Sequence, residues 1–445
     1  MVGEGCPHPS DEIGEDMEKN PRIATVGLGY VGLPLAVALS RRYQVTGFDI
    51  DSHRIDEIRD GHDRTGEIEP AKLRAVNATF TADPADLRGH DIYMVTVPTP
   101  VGADNRPDLS PVRAACRTVG GALGKGAIVV FESTVYPGVT EQVCGPLLGE
   151  VSGLDCGRDF YLGYSPERIN PGDREHTVDR IAKVVAGQTP EVAQVLAEVY
   201  GGITTGGTFV ARDIMTAEAA KVIENAQRDI NIAFVNEITM IFARLGLSVH
   251  DVLDAAGTKW NFLNFTPGLV GGHCIGVDPF YLAHCAQEVG HHPHVILAGR
   301  QVNDGMAAFV ADEILRHVDK DGGAAAGGLR FLVLGLTFKE DIPDLRNTMV
   351  VDLIARLKQG GHEVDVHDPM ADPREAAGFY GVELLAELAG ASGYDCVVGA
   401  VSHAAYRTLT GDTLARLLKP GGMVADMKGM WRATALPDGL RYWRL

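Results

Sequence analysis

Gly27-Leu28-Gly29-Tyr30-Val31-Gly32 constrains this chain more than any other segment. An apolar run over residues 23–26 precedes it, a helical pattern over residues 33–42 follows, and a second apolar run over residues 45–50 comes next. Strand, glycine turn, helix and strand in that order form a βαβ unit, and in that context G-x-G-x-x-G is a dinucleotide fingerprint. Its glycines allow a tight turn and close approach of a pyrophosphate, which the helix N-terminus stabilises. The cofactor site is therefore expected at Gly27, Gly29, Tyr30, Val31 and Gly32, with Thr99 also counted beyond the strand at 92–97. Asp49 ends the second strand, where a carboxylate binds ribose hydroxyls and repels a 2′-phosphate, so NAD is expected over NADP. Asp51 competes for that role, and Arg54 is a cation close enough to join the site.

Further short strands at 92–97 and 127–131 alternate with helices, as in a doubly wound parallel sheet. Residues 213–245 lack proline and glycine, with Ile230, Phe234, Ile238, Ile241 and Leu245 at helical spacing, which predicts one long helix. After a Gly/Ala stretch at 321–328, strands are expected at 331–334, 363–366, 396–401 and 423–426. The expected α/β architecture is thus two Rossmann-like, doubly wound domains joined by a central helical domain. An acidic tail at 1–20 precedes an NAD-binding domain at 21–210, a central domain at 211–320 and a second Rossmann-like domain at 329–445. A length of 445 residues suits such a multidomain chain.

A formal charge of −19 argues against nucleic acid or an anionic membrane surface as partner. An anionic ligand would need a locally basic pocket. The seven cysteines are scattered without paired spacing, which predicts no disulfide framework or cysteine-rich zinc site. His284, His291, His292 and His294 match no common ligand spacing, so no metal is expected. No apolar run reaches membrane-spanning length, and a soluble, cytoplasmic protein is the expectation. The long helix is expected to link the two halves and to build a homodimer.

Gly271-Gly272-His273-Cys274-Ile275-Gly276-Val277-Asp278 puts a thiol in a glycine-flanked turn, accessible to substrate and to backbone N–H groups. That suits a nucleophile, although a small buried hydrophobe is the common fate of a lone cysteine. With Gly27 to Gly32, Glu132-Ser133-Thr134, Tyr164-Ser165-Pro166-Glu167-Arg168 and Phe338-Lys339, this turn resembles the UDP-glucose/GDP-mannose dehydrogenase family from about residue 22 onward. The motif over residues 165–173, Lys259-Trp260-Asn261-Phe262 and the Cys274 turn are similar to its UDP-N-acetylhexosamine branch. The sugar expected from the resemblance is UDP-N-acetylglucosamine; Thr266 and Asn264 stand where that branch often has arginine and proline, which keeps UDP-N-acetylgalactosamine and UDP-glucose as alternatives.

The resemblance implies oxidation of a sugar C6 hydroxyl to a carboxylate, with two hydride transfers to NAD and a thiohemiacetal and thioester on Cys274. It implies Lys221 and Asn225 as oxyanion stabilisers, Glu167 as a carboxylate for proton transfer or hydrolysis, and Asp278 as an orienting group. Thr134 matches a position contacting water or cofactor. Lys339 and Arg346 resemble the segment gripping the UDP-sugar, with Gly271, Glu167, Arg168, Lys221 and Asn225 also at the substrate. A two-electron hydroxy-acid dehydrogenase and a non-catalytic NAD-binding subunit are the alternatives.

Overall fold

The computed structural model describes residues 20–102, 104–168, 175, 177–272, 274–319 and 328–445. Nearly all of the expected acidic tail and Gly/Ala linker, residues 169–173 of the motif after Ser165, and His273 lie outside them. The chain divides into two compact units, one comprising residues 1–224 and 280–289, the other residues 225–279 and 290–445.

The first unit is built on β1 (Arg22–Val26), β2 (Gln44–Phe48), β3 (Ala78–Thr81), β4 (Ile92–Val95), β5 (Ile128–Phe131), β6 (Tyr161–Tyr164), β7 (Lys183–Gly187) and β8 (Thr208–Val210). Their order is β3-β2-β1-β4-β5-β6-β7-β8. Every residue of β4, β5 and β6 is buried, as expected for strands covered on both faces. The expectation of a parallel sheet holds through β6; β7 then runs antiparallel to it. Helix α1 (Gly32–Leu39) is apolar and buried along its whole length. It stops three residues before the expected end, where the N–H groups of Arg42 and Tyr43 both bond the Leu39 carbonyl. Helices α2 (Ser52–Arg59) and α3 (Pro190–Gly201) also belong to this unit.

The second unit carries β9 (Arg330–Leu334), β10 (Glu363–His367), β11 (Tyr394–Gly399), β12 (Leu418–Asp426) and β13 (Arg441–Arg444), in the order β10-β9-β11-β12-β13. All its pairings are parallel. The two sheets repeat one device. Gly27 after β1 and Gly335 after β9 have φ of +95° and +99°, which glycine adopts without strain. The next N–H donates to a carboxylate ending the neighbouring strand: Leu28 to Asp49 at 2.7 Å, Leu336 to Asp368 at 2.5 Å.

The long helix, α4, runs Ile214–Leu245, one residue short of the expected start. The division between the units falls within it, after Glu224. Helices α5 (Val249–Ala256), α6 (Asp278–Glu288) and α7 (His294–Val318) follow. Among the described residues no helix is long and apolar enough to cross a membrane.

Inside the second unit a buried polar network ties α4 to α7. Arg300 Nη1 bonds Asp229 at 2.6 Å, Asn303 Nδ2 donates to the same carboxylate at 2.7 Å, and Asn236 Nδ2 donates to Asn303 at 2.8 Å. Asn236 also clamps Gly268, accepting its N–H at 2.9 Å and donating to its carbonyl at 3.0 Å, which fixes the chain six residues before Cys274. Asn303→Leu would strand the buried Asp229 and Asn236 groups and should cost about 3 kcal/mol. The expected result is a lower urea unfolding midpoint; an unchanged midpoint would contradict this account of the network.

Candidate active site

The glycine turn is closed to a side chain at Gly32 and open at Gly29. A Cβ on Gly32 would come within 1.8 Å of the Gly27 carbonyl oxygen, and one on Gly29 would meet nothing within 4 Å. Backbone N–H groups at the start of α1 are thus open to a phosphate, which fits a dinucleotide. The two candidate ribose ligands are separated by their surroundings. Asp51 caps α2 through the His53 N–H and pairs with Arg64 at 3.2 Å. Asp49 instead bends back over the glycine turn, accepting from Leu28 and from the Asp51 N–H at 3.0 Å. Arg54 is buried beneath the turn: Nε donates to the Leu28 carbonyl at 2.9 Å, and Nη2 pairs with Asp63 at 2.7 Å. Burial raises the Asp63 carboxyl, but the Arg54 and Thr65 hydrogen bonds outweigh it and hold the group below its usual range. Tyr30, Val31 and Thr99 are each half-buried, the first two in this turn and Thr99 in the loop after β4.

Also in the first unit, Glu167 lies just beyond β6 and is 7% exposed. One of its oxygens accepts the Arg168 N–H at 2.6 Å, and the other lies 3.5 Å from Lys183 Nζ. The Arg168 side chain pairs with Glu224 on α4 at 2.7 Å. Lys221 is buried on α4, one turn after Glu218. Glu218 accepts the Gly138 and Thr140 N–H groups at 2.5 and 2.9 Å, tying this end of α4 to the loop that holds the half-buried Thr134. Burial pushes the Glu218 carboxyl up to about 7, against the pull of those bonds.

The second unit holds Cys274. Its carbonyl accepts the Val277 and Asp278 N–H groups at 3.0 and 2.8 Å, so the cysteine stands at the entrance to α6, partly exposed. The preceding glycines are pressed against the second lobe. A Cβ on Gly271 would reach 2.6 Å from the Asn347 carbonyl oxygen, and one on Gly272, at φ +84°, would reach 2.8 Å from the Phe338 ring. Asp278 is buried and accepts from Asn225 Nδ2 at 2.6 Å. Four of the expected residues of this unit, Asn225, Gly271, Cys274 and Asp278, thus share one turn and its supports. Lys339 and Arg346 sit in the segment that packs on the glycines; Arg346 pairs with Asp344 at 2.6 Å. That segment is pinned by Asp368 and His403: the Asp341 N–H donates to His403 Nδ1 at 2.9 Å, while His403 Nε2 faces Asp368 at 3.1 Å. Burial raises the Asp368 carboxyl, but the hydrogen bond and charge of His403 and the Leu336 and Thr337 N–H groups outweigh it and bring it down to about 2.

A cavity of about 580 Å³ opens in the same unit, lined among others by His250, Phe265, Lys428, Arg432 and Arg444. Lys428 Nζ would stand 2.8 Å from a Cβ on Gly268, so the cavity borders the chain leading to Cys274. Here are local cations that an acidic chain needs to hold an anion. The sequence reading missed the lysine and arginines of this cavity, and also Lys183 and Asn236. Lys183 opens an otherwise apolar strand, Lys183-Val184-Val185-Ala186-Gly187, and a charge there was a legible sign. Among the described residues no group of three histidine, cysteine or acidic side chains is arranged to hold a metal ion.

Comparison with known proteins places the whole architecture. The NAD binding, central and UDP binding domain models of the UDP-glucose/GDP-mannose dehydrogenase family match residues 21–204, 215–305 and 332–433. The chain is 50% identical over 426 residues to Protein CapL of Staphylococcus aureus, covering 96% of this chain and all of that one. It is 48% identical to a UDP-N-acetyl-D-glucosamine 6-dehydrogenase of Pseudomonas aeruginosa, covering 92% of this chain and 97% of the relative. Its fold matches the solved structure of a UDP-D-ManNAc dehydrogenase of Pyrococcus horikoshii with a TM-score of 0.85 at 29% identity, covering 95% and 98% of the two chains. The chain belongs to the UDP-glucose/GDP-mannose dehydrogenase family and is an NAD-dependent UDP-sugar dehydrogenase.

Proposed function

We propose that the chain oxidises the C6 hydroxyl of a UDP-N-acetylhexosamine, UDP-N-acetylglucosamine foremost, to the uronic acid through a thiohemiacetal and a thioester on Cys274. The observation that carries this reading is the Cys274 turn, a partly exposed cysteine at a helix entrance with the buried Asp278, bonded to the half-buried Asn225, behind it. The choice of sugar rests on the two relatives named UDP-N-acetyl-D-glucosamine 6-dehydrogenase, at 48% and 45% identity. NAD, when bound, supplies the hydride acceptor for both oxidations.

The protein's own groups perform the rest. The C6 alcohol gives up a proton and a hydride to become an aldehyde. The Cys274 thiolate adds to the carbonyl carbon, forming a C–S bond and holding the aldehyde in the site. Negative charge moves from sulfur to oxygen, where the Lys221 ammonium and the second N–H of the Asn225 amide are the proposed donors. They stand one turn apart on α4. Loss of the second hydride leaves a thioester, and water cleaves it to the carboxylate and free thiolate. Glu167 is the proposed acceptor of the proton from that water. Asp278 acts by orienting Asn225.

We assign the nucleotide end of the substrate to the cavity bordered by Lys428, Arg432 and Arg444, with Lys339 and Arg346 as further cations and Arg168 at the sugar. His250 Nε2, buried there, has no hydrogen-bond partner among the described residues, which suits a polar ligand group. At the cofactor end, Gly27, Gly29, Tyr30, Val31 and Gly32 take the pyrophosphate and Asp49 the ribose, with Thr99 and Thr134 near the nicotinamide half. The Arg54 guanidinium, committed to Leu28 and Asp63, supports the turn from below. Action in the cytoplasm follows from the reactants, since NAD and nucleotide sugars are cytoplasmic metabolites. A homodimer through α4 completes the reading: Phe234, Ile241 and Leu245 are 57%, 45% and 65% exposed on that helix.

Given UDP-N-acetylglucosamine, UDP-N-acetylgalactosamine or UDP-glucose, the enzyme should form two NADH per sugar, fastest with the first, and Cys274→Ala should abolish the second. One NADH per sugar in the unaltered enzyme would refute the four-electron reading, and faster turnover of another sugar would reassign the substrate. Lys428→Met should raise KM for the sugar nucleotide about tenfold, or about 1.4 kcal/mol, and leave KM for NAD alone. An unchanged KM would remove the nucleotide from that cavity. Light scattering should give twice the chain mass, falling to the monomer in Phe234→Glu with Ile241→Glu; a monomeric unaltered protein would contradict the dimer.

A further inference from the structure

Glu167 is not held by its own loop alone. Behind it in the first unit lie Glu132, at the end of β5, Lys183, at the start of β7, and Tyr200 on α3, which are 2%, 0% and 0% exposed. Lys183 Nζ is 2.8 Å from Glu132 Oε2 and 3.5 Å from Glu167 Oε2, and it is also 3.5 Å from the Pro166 carbonyl. The Tyr200 hydroxyl donates to the other Glu132 oxygen at 2.5 Å, and its ring centre lies 5.2 Å from the ammonium.

An ammonium removed from water needs strong compensation, and a methionine would fill the same space without that cost. The remainder of β7 is apolar and packs without charges. Burial pushes the Lys183 ammonium down, but Glu132 and then Glu167 outweigh it and hold the group above the ordinary lysine range. One cation is therefore divided between two buried carboxylates. Glu132 is the anchored one, since tyrosine and lysine each hold one of its oxygens. Glu167 is the carboxylate whose orientation the arrangement sets: the Arg168 N–H takes one oxygen and Lys183 faces the other. Two further charged side chains bear on it. Glu67, its carboxyl pushed up to about 7 by burial and by the negative charges of Asp63 and Glu167, is a neighbour from the loop after α2. Arg168, next in sequence, is turned to Glu224.

We propose that Lys183, anchored by Glu132 and Tyr200, is a positioning residue for the reaction, fixing the direction and the negative charge of the Glu167 carboxylate. This rests on the reading of Glu167 as the proton acceptor in thioester cleavage. It predicts opposite effects for the two ends of the ion pair. Lys183→Met leaves Glu167 beside Glu132 without a countercharge, so its proton should be harder to lose. Glu132→Gln keeps the shape but gives the ammonium to Glu167 alone, so its proton should be easier to lose.

The test is the pH dependence of kcat for the full-length enzyme with NAD and UDP-N-acetylglucosamine, alongside melting temperature. Lys183→Met should move the acid limb of the profile up by about one pH unit, Glu132→Gln should move it down, and Lys183→Arg should restore it. KM for the sugar should change little. A merely structural ion pair would lower melting temperature and rate together and leave the limb in place, which would overturn the proposal. If Lys183→Met fails to fold, Glu132→Gln decides: a downward shift supports the positioning role and an unmoved limb refutes it. Glu167→Gln separates the two readings. If it is impaired while the Lys183→Met limb stays in place, the Lys183 role alone fails; if its rate and profile are unaltered, the Glu167 reading fails and takes the Lys183 role with it.

Discussion

The proposed chemistry depends on a turn with no room to spare. The Cys274 carbonyl takes two N–H groups at the entrance to α6, and the glycines before it lie so close to Asn347 and Phe338 that any side chain there would collide with them. This packing holds the sulfur accessible while the backbone around it is immobilised from both directions. Asn236 grips Gly268 on the upstream side, and Asp278, joined to Asn225, fixes the downstream side. A nucleophile proposed to hold the substrate carbon through one C–S bond, from thiohemiacetal to thioester, gains most from such rigidity, since catalysis by orientation is lost with small displacements.

A second constraint is charge. The chain carries a formal −19, yet its ligands are themselves anions. The structure answers by grouping cations around one cavity and by giving three of its buried cations an acidic partner. Arg54 with Asp63 underlies the glycine turn, Arg300 with Asp229 locks α4 to α7, and Lys183 with Glu132 stands behind Glu167. A buried pair of this kind adds little net stability compared with an apolar replacement, but it specifies direction. In all three places the direction bears on a loop or carboxylate of the proposed site.

What the sequence made legible follows from the range over which each signal acts. Periodicity is local, so the strands around the glycine fingerprint and the long helix could be read to within a few residues; α4 begins at Ile214 where residue 213 was expected. The glycine and cysteine turns were legible because glycine runs have a direct steric meaning. Strands β3, β6, β7, β8 and β13 were not read: each is only three to five residues long, and β7 also runs antiparallel to β6. Glu132 with Lys183, and Asn236 with Gly268, are separated by 51 and 32 residues. No period or spacing relates such partners. Only the cost of burying a charge or an amide signals that one must exist. The different settings of Asp49 and Asp51, one accepting from Leu28 and the other capping α2, were likewise invisible to local pattern.

The proposed mechanism requires a covalent bond between Cys274 and the sugar. The most direct measurement is intact and peptide mass spectrometry of enzyme stopped in acid during turnover with NAD and UDP-N-acetylglucosamine, using Glu167→Gln to slow thioester cleavage. The prediction is an adduct of the oxidised UDP-sugar, located on the peptide containing Cys274 and released by hydroxylamine. Turnover that proceeds to the uronic acid with Cys274 unmodified at every time point would contradict it.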